Sequence, residues 1–200
     1  YYTNRDPRFY LTIAKNGDEK WPNWNTVPLQ TYQGGLNAEP LSGGTPTGYY
    51  LKKYCQTAVD LRAGTASKTY HSWITFRFGE FYLNYAEAVY KYLGSPYATD
   101  SEFTTSAVDA IKVVRTRAGM PGFPQGMTND AFWKKYQNER MVELAFEGHR
   151  FWDVRRWKEG DKHFKNIVEM KITKNGDDIY TYERKVKERS WDDKMYFFPI

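Results

Sequence analysis

The chain has 200 residues with 18% aromatic residues, a length that suits one domain with a sizeable core. Its net charge of +5 does not indicate nucleic-acid binding, because the basic residues are interleaved with 24 acidic residues and form no Lys/Arg tract. The single cysteine, Cys55, excludes an internal disulfide, and no apolar run is long enough to span a membrane.

The first quarter of the chain is predicted to contain little regular structure. Residues 8–13 are expected to be extended at best, and residues 15–48 are predicted to form a loop because glycine and proline recur throughout. A loop of this length is usually functional or disordered, and its aromatic residues argue against plain disorder. Residues 49–54 are predicted to form a short strand.

Two helices are predicted in the middle of the chain. The first runs over about residues 72–93 and ends at Gly94, because apolar residues recur at helical spacing up to a glycine that is followed by proline. The second is expected to begin near Thr99, with Glu102 completing a capping box, and to stop at Gly119.

A third helix and a hairpin complete the predicted elements. The helix starts near Thr128 or the next residue, and Gly148 is expected to break or bend it. Residues 166–172 and 179–186 have strand composition and flank Asn175-Gly176, which is a strong turn signal.

Carboxylates and guanidinium groups are concentrated in two segments. Glu139, Glu143 and Glu147 share one helix face, among large apolar residues, so their charges need partners. Arg115 and Arg117 are available to pair with them. We interpret the series as a structural network, since neighbouring arginines lower carboxylate pKa values. The alternative is an acid/base pair of the kind used in glycoside hydrolysis.

These segments carry a resemblance to a known family. The chain resembles the C-terminal half of the SusD/RagB family, surface glycan-binding lipoproteins of Gram-negative bacteria, in co-linear motifs at residues 5–10, 77–88, 115–121, 139–157 and 198–200. The resemblance implies a mainly α, tetratricopeptide-like architecture with long loops and a short β-hairpin near the C-terminus. It also implies that residues 1–200 are a single C-terminal region. The family's N-terminal half, with its signal peptide and lipid-bearing cysteine, would lie outside this sequence.

The resemblance also implies a function. The protein would bind oligosaccharide or polysaccharide on the extracellular face of the outer membrane, without catalysis, and deliver it to a SusC-like TonB-dependent transporter. The three histidines are scattered without metal-ligand spacing, so no metal or cofactor is predicted. The alternatives are a glycoside hydrolase and a protein-binding helical repeat without a sugar site. Because repeat helices need neighbours to bury their faces, residues 1–200 alone are expected to be poorly soluble or molten.

The long loop supplies the candidate glycan site. A flat aromatic ring stacks on the apolar face of a sugar while amides bond its hydroxyl groups. The candidates are Trp21, Asn23, Trp24, Asn25, Tyr32 and Tyr49. The competing interpretation is that these rings only pack the loop against the rest of the chain. The family's ligand-contacting residues vary, so none is carried over by resemblance.

Overall fold

The computed structural model describes residues 1–18, 25–56, 58–60, 62, 64 and 66–197. It divides into two compact units. The hairpin unit comprises Tyr1–Asn4, Tyr10–Tyr70 and Phe151–Ile200, and the helical unit comprises Arg5–Phe9 and His71–Arg150. The elements in chain order are α1 (Pro7–Thr12), β1 (Ile13–Lys15), β2 (Tyr49–Leu51), α2 (Phe78–Leu93), α3 (Ala107–Arg117), α4 (Asn129–Glu143), α5 (His149–Arg156), α6 (Gly160–Phe164), β3 (Asn166–Gly176), β4 (Ile179–Glu188) and a 3-10 helix (Asp193–Tyr196). The predicted class, mainly α with a short hairpin near the C-terminus, is confirmed.

The helical unit is built around α2, which packs against α3 and α4. Its core consists of small and branched apolar side chains together with two rings: Leu83, Ala86, Val89, Ala107, Val108, Ala110, Ile111, Val114, Phe132, Tyr136 and Leu144. The buried Tyr136 hydroxyl shares its one proton between the Leu83 carbonyl oxygen at 3.0 Å and Glu87 Oε2 at 2.7 Å. The polar end of this buried ring is therefore satisfied.

The start of α2 differs from the prediction. The helix begins at Phe78 instead of near Ser72, although it ends at Leu93 with a left-handed Gly94 as predicted. Ile74 and Thr75 are β-branched and therefore weak helix formers. Arg77, the residue immediately before α2, has an extended backbone with φ −148° and ψ 155°, so the helix does not extend further toward the N-terminus.

The predicted start of α3 near Thr99 is wrong. Asp100 Oδ1 instead accepts hydrogen bonds from the backbone N–H groups of Glu102 and Phe103, which form a turn outside any helix. The helix begins after Ser106, whose hydroxyl oxygen accepts from the Asp109 N–H at 3.2 Å. Asp100 and Ser106 therefore both accept hydrogen bonds from backbone N–H groups that follow them, but only Ser106 caps the helix.

The predicted start of α4 is confirmed. Thr128 is the N-cap, and its hydroxyl oxygen accepts from the Ala131 N–H at 3.3 Å. The predicted interruption of the helix is present, but it begins before Gly148, because α4 ends at Glu143. Phe146 and Gly148 both adopt positive φ angles, 63° and 84°, before α5 begins.

The expectation of extended structure at residues 8–13 is wrong over most of that range, because α1 occupies Pro7–Thr12. Asp6 Oδ1 accepts from the Arg8 N–H at 3.0 Å, and Pro7 occupies the first helical position, where its fixed φ favours a helix. The Asp-Pro pair was therefore a helix-start signal that the sequence interpretation missed.

The hairpin unit contains two antiparallel strand pairs. The predicted hairpin is confirmed as β3 paired with β4, and the predicted strand after residue 48 is confirmed as β2, which pairs with β1. The turn, however, is formed by Asp177 and Asp178 and not by Asn175-Gly176. The strand register shifts between Lys174 and Gly176, which places Asn175 at an irregularity within the end of β3. The turn therefore lies two residues later than predicted.

Candidate functional site

The loop that carries the predicted glycan contacts is only partly described. Trp21, Asn23 and Trp24 lie outside the described residues. Asn25, Tyr32 and Tyr49 are described, and all three are half-buried. Tyr32 and Tyr49 belong to the hairpin unit, where they contact different groups of rings. Their assignment as sugar platforms stays a prediction.

Tyr32 lies beside the tip of the β3–β4 hairpin. Its ring is tilted against Tyr180 with ring centres 5.7 Å apart, and Lys174 Nζ lies 5.7 Å from its centre. Its hydroxyl donates to Gln30 Oε1 at 3.2 Å. These contacts fix the ring orientation while a part of the side chain stays exposed, as a stacking platform requires.

Tyr49 belongs to a cluster of tyrosine rings. It lies edge-on to Tyr2, with centres 6.2 Å apart, and Tyr2 in turn lies edge-on to Tyr182 at 5.2 Å. Tyr1 stacks on Tyr182 at 4.8 Å. Burial raises the pKa of Tyr2, and the neighbouring Tyr49 side chain adds to this shift. The ring of Tyr49 therefore contributes to packing in the hairpin unit.

The loop also attaches to the outer edge of β3. The Gln33 N–H donates to the Ile172 carbonyl at 2.8 Å, and the Met170 N–H donates to the Thr47 carbonyl at 3.0 Å. The close approach requires a glycine at position 48, where φ is +81° and an added Cβ would lie 2.6 Å from the Met170 carbonyl oxygen. Backbone bonding to a strand edge therefore gives this long loop a defined path.

A cleft of about 380 Å³ lies between this part of the loop and the β3–β4 hairpin. We call it the loop cleft. Its walls combine polar and charged side chains with apolar ones: Thr31, Gln33, Glu39, Pro40, Thr45, Pro46, Glu169, Met170, Lys171, Ile172 and Lys185. Its volume falls in the range of small-molecule sites.

The loop cleft offers both hydrogen-bond donors and acceptors. Gln33 supplies an amide, Glu169 a carboxylate, and Lys171 and Lys185 supply ammonium groups. Thr31 is buried, and its hydroxyl has no hydrogen-bond partner among the described residues. Except for the loop itself, the sequence interpretation missed these residues, because the hairpin and the loop are far apart in the chain and no motif connects them.

The Glu/Arg network forms a separate buried centre in the helical unit. Arg8 Nη1 donates to Glu139 Oε1 at 2.7 Å and to Glu143 Oε2 at 2.9 Å. Arg77 Nη1 donates to Glu143 Oε1 at 2.5 Å, and its other nitrogens bind both oxygens of Glu147 at 2.7 Å.

The two arginines that the sequence offered as partners also join this network. Arg117 Nη2 donates to Glu143 Oε1 at 2.6 Å, and Arg115 donates to Glu139 Oε2. Arg8 and Arg77 were not predicted as partners, although both lie in motifs that carry the family resemblance. Partners so distant in the chain come together only in the tertiary structure.

The occupied carboxylate oxygens limit what this network can do chemically. The side chains of Glu139 and Glu143 are 2% and 1% exposed, and every carboxylate oxygen of both accepts a guanidinium N–H. A general acid needs a carboxyl group that holds a proton and reaches substrate. These two groups are buried and arginines occupy their oxygens, so neither reaches a substrate and the arrangement fits an ion-pair network that joins α1, α3 and α4.

The pKa values of the arginines reflect the same pairing. Burial acts to lower the pKa of Arg8, but its hydrogen bonds to three carboxylates outweigh burial and raise the pKa above the ordinary value. The pKa of Arg77 is raised in the same way, by Glu147 and Glu143 against burial. The hydrogen bond from Arg8 lowers the pKa of Asp6, so this carboxylate holds its charge to lower pH.

Within the part of the chain that the structure describes, no group of three or more His, Cys, Asp or Glu side chains is placed to hold a metal ion. No helix in the same residues has the length and apolar character needed to cross a membrane.

The sequence motifs and the fold together identify the family. The chain belongs to the SusD family, whose sequence profile matches residues 1–200. The match therefore covers both units and includes the segments with the network arginines and glutamates. No protein with curated functional information matches the chain.

Two solved structures from Bacteroides fragilis have similar folds. A SusD-like protein shares 29% sequence identity with a TM-score of 0.75, over 98% of this chain and 36% of its own. A protein described as a SusD-like carbohydrate-binding protein shares 23% identity with a TM-score of 0.56, over 84% of this chain and 32% of its own. The chain thus spans about a third of the length of these two structures.

Proposed function

We propose that this protein binds oligosaccharide or polysaccharide at the cell surface and does not hydrolyse it. Membership of the SusD family supports glycan binding, and one structural neighbour is described as a carbohydrate-binding protein. The observation that carries the proposal is the loop cleft, because its lining matches the chemistry of a sugar.

A sugar ring has an apolar C–H face and a rim of hydroxyl groups, each of which both donates and accepts hydrogen bonds. The loop cleft supplies acceptors at Glu169, donors at Lys171 and Lys185, and an amide at Gln33 that serves both roles. Pro40 and Pro46 are exposed and supply apolar surface for the C–H face. A volume of about 380 Å³ accommodates one or two sugar rings.

The loop aromatics extend this proposed site. Tyr32 lies between Thr31 and Gln33 of the cleft wall and is the described platform that fits stacking best. Trp21 and Trp24 remain proposed platforms, with Asn23 and Asn25 bonding the sugar rim. Tyr49 is also a proposed platform. Because its ring packs against Tyr2, substitution of Tyr49 would change the stability of the hairpin unit as well as glycan binding.

The absence of catalysis is part of the proposal. The carboxylates that the hydrolase alternative would use are those of the Glu/Arg network, and arginines occupy their oxygens. No cofactor is invoked. We further propose, from the family, that a lipid anchor outside this chain holds the protein at the extracellular face of the outer membrane. There it would deliver glycan to a SusC-like TonB-dependent transporter.

The test is glycan affinity, measured in the protein as encoded. A glycan array identifies a ligand, and affinity for that ligand is then compared between the parent and Gln33→Ala. We expect a loss of roughly fivefold, since one neutral hydrogen bond is worth about 1 kcal/mol. Gln125→Ala is the matched control, because Gln125 is an exposed glutamine in the helical unit. Its affinity should equal that of the parent.

The aromatic platforms are tested in the same assay. Tyr32→Ala should weaken binding by roughly tenfold, toward the lower part of the range measured for stacking of bases on protein rings. If the affinity were unaltered in both Gln33→Ala and Tyr32→Ala, the glycan would not bind in the loop cleft. Binding to no glycan on a broad array would favour the protein-binding alternative.

A further inference from the structure

A second cleft in the hairpin unit has a different chemistry. It has a volume of about 650 Å³ and is lined mainly by Phe151, Arg155, Phe164, Arg189, Ser190 and Trp191. We call it the arginine cleft. Three aromatic rings and two guanidinium groups meet in it, and none of its lining residues is acidic. It shares no lining residue with the loop cleft.

Arg155 is held in place by aromatic rings. Its guanidinium carbon lies 3.5 Å from the centre of the Phe151 ring and 5.7 Å from the centres of both Phe164 and Trp191. Its Nη1 donates to the Phe151 carbonyl at 3.2 Å. Cation–π contacts and this one bond orient the group but leave most of its five N–H donors available.

The aromatic wall is also well fixed. Trp191 packs against Phe164 and Tyr196, with ring centres 5.5 Å and 5.1 Å apart. Its indole ring lies against Gly160, where an added Cβ would come within 2.0 Å of the ring. The wall is therefore formed before a ligand arrives, which reduces the entropy lost on binding.

The positive charge of this cleft is not neutralised by the described residues. Arg8, Arg77, Arg115, Arg117 and Arg156 each form an ion pair with a carboxylate. No ion pair between described residues involves Arg155 or Arg189. Arg155 is half-buried, and a charge in that position favours an anionic partner.

We propose that the arginine cleft binds a sugar ring that carries an anionic group, a carboxylate or a sulfate. The planar guanidinium groups of Arg155 and Arg189 bind the anion, because their N–H pairs match the spacing of two anion oxygens. The aromatic wall contacts the apolar face of the ring, and Ser190 bonds a hydroxyl. The inference rests on the proposed function, since a glycan-binding protein meets acidic sugars as part of larger chains.

The experiment uses the protein as encoded, with D-glucuronate, glucose 6-sulfate, D-glucose and acetate as probes. Binding is measured by saturation-transfer NMR titration. We expect both anionic sugars to bind at least tenfold more tightly than D-glucose, because charge-assisted hydrogen bonds are roughly twice as strong as neutral ones. Acetate should bind more weakly than D-glucuronate, since it lacks a ring to contact the aromatic wall. Comparison of the two anionic sugars distinguishes a carboxylate site from a sulfate site.

Two variants locate the site. Arg189→Gln should weaken D-glucuronate binding about tenfold or more. Arg184→Gln removes the same charge from an exposed position on β4 that lines neither cleft, and it should bind like the parent. Trp191→Phe keeps an aromatic wall but removes the indole N–H resonance of Trp191, which assigns this resonance in the NMR spectrum of the parent. We expect the assigned resonance to shift when D-glucuronate is added to the parent.

Three results would overturn the inference: equal binding of D-glucose and the two anionic sugars, equal binding of acetate and D-glucuronate, or equal losses in the two arginine variants. Its failure is distinguishable from failure of the proposed function. If array glycans still bind the parent and Gln33→Ala still lowers the affinity for them, the proposed site in the loop cleft is supported and only the proposed site in the arginine cleft is rejected.

Discussion

At the scale of single residues, Glu143 is the most heavily bonded carboxylate of the Glu/Arg network. It accepts hydrogen bonds from Arg8, Arg77 and Arg117, and its side chain is 1% exposed. Glu143→Ala would leave buried guanidinium nitrogens without their partner. We expect a loss of about 3–5 kcal/mol in the free energy of unfolding, measured by urea denaturation of the protein as encoded.

The control for this substitution is Glu102→Ala, which removes an exposed glutamate of the same unit and should change stability by no more than about 0.5 kcal/mol. The structural interpretation of the network would be contradicted by a Glu143→Ala variant that keeps the parent's stability. If that variant also lost a hydrolytic activity, the glycoside hydrolase alternative would take its place.

Asp6 gives the network a dependence on pH. The hydrogen bond from Arg8 lowers its pKa below the ordinary value of 3.8, so the folded state holds the charged form more strongly than the unfolded state does. The resulting stabilisation is complete above the unfolded pKa and is lost as the pH falls through the lower folded pKa. Asp6→Asn removes this charge but keeps a side chain able to cap α1.

We therefore expect Asp6→Asn to be less stable than the parent at pH 7. The difference should shrink as the pH falls below 3.8. Urea denaturation of both proteins at pH 7, 5 and 3 measures this difference, with the exposed Asp161→Asn as the control. A difference between Asp6→Asn and parent that stays constant over this pH range would show that the charge of Asp6 does not stabilise the fold.

At the scale of elements, the first turn of α2 must fit closely against the network. An added Cβ at Gly79 would lie 2.5 Å from Arg77 Nη1 and 2.9 Å from Glu143 Oε1. Alanine normally stabilises a helix by about 1 kcal/mol relative to glycine. Here we expect the opposite, a loss of roughly 1–3 kcal/mol, because the methyl group displaces the ends of the Arg77 and Glu143 side chains and disturbs the ion pair between them.

Gly122→Ala is the matched control for Gly79→Ala. An added Cβ there would meet only side-chain carbons of Lys112, the nearest at 3.4 Å, and these move easily. Thermal unfolding of the two variants should show a lower Tm for Gly79→Ala alone. A Gly79→Ala protein with a raised Tm would mean that the ion pairs tolerate displacement at this helix end.

The sequence predicted the elements better than their boundaries. Helices were recognised where apolar periodicity coincides with one strong cap, as at Thr128, and the hairpin was recognised from its two runs of strand composition. Boundaries were wrong where two local signals compete. Asp100 and Ser106 both offer caps, and Asn175-Gly176 and Asp177-Asp178 both suit a turn. Tertiary contacts decide between such alternatives, and a single sequence does not contain them.

At the scale of the whole molecule, the clefts were the least predictable feature. The loop was singled out as a candidate because of its composition. Its partner surface on β3 and β4 carries no motif, since Glu169 and Lys185 are ordinary strand residues in sequence. The arginine cleft likewise joins residues from α5, α6 and the segment after β4. Sites of this kind depend on packing between distant segments.

The helical unit leaves a large apolar surface on α2. Phe78, Phe81 and Tyr92 are 82%, 57% and 72% exposed. A surface of this kind favours association when a polypeptide is studied in isolation. We expect residues 1–200 expressed alone to be poorly soluble or to unfold without a sharp transition. Calorimetry checks this expectation, and a cooperative thermal transition from the isolated 200 residues would contradict it.

The central claim is that the protein binds glycan without hydrolysing it, and isothermal titration calorimetry of the protein as encoded tests both parts at once. With a glycan selected on an array, we predict heats that saturate at a fixed stoichiometry, with thermal power returning to baseline after each injection. The absence of heat with every selected glycan would contradict binding. Thermal power that persists until the glycan is consumed would contradict the absence of catalysis.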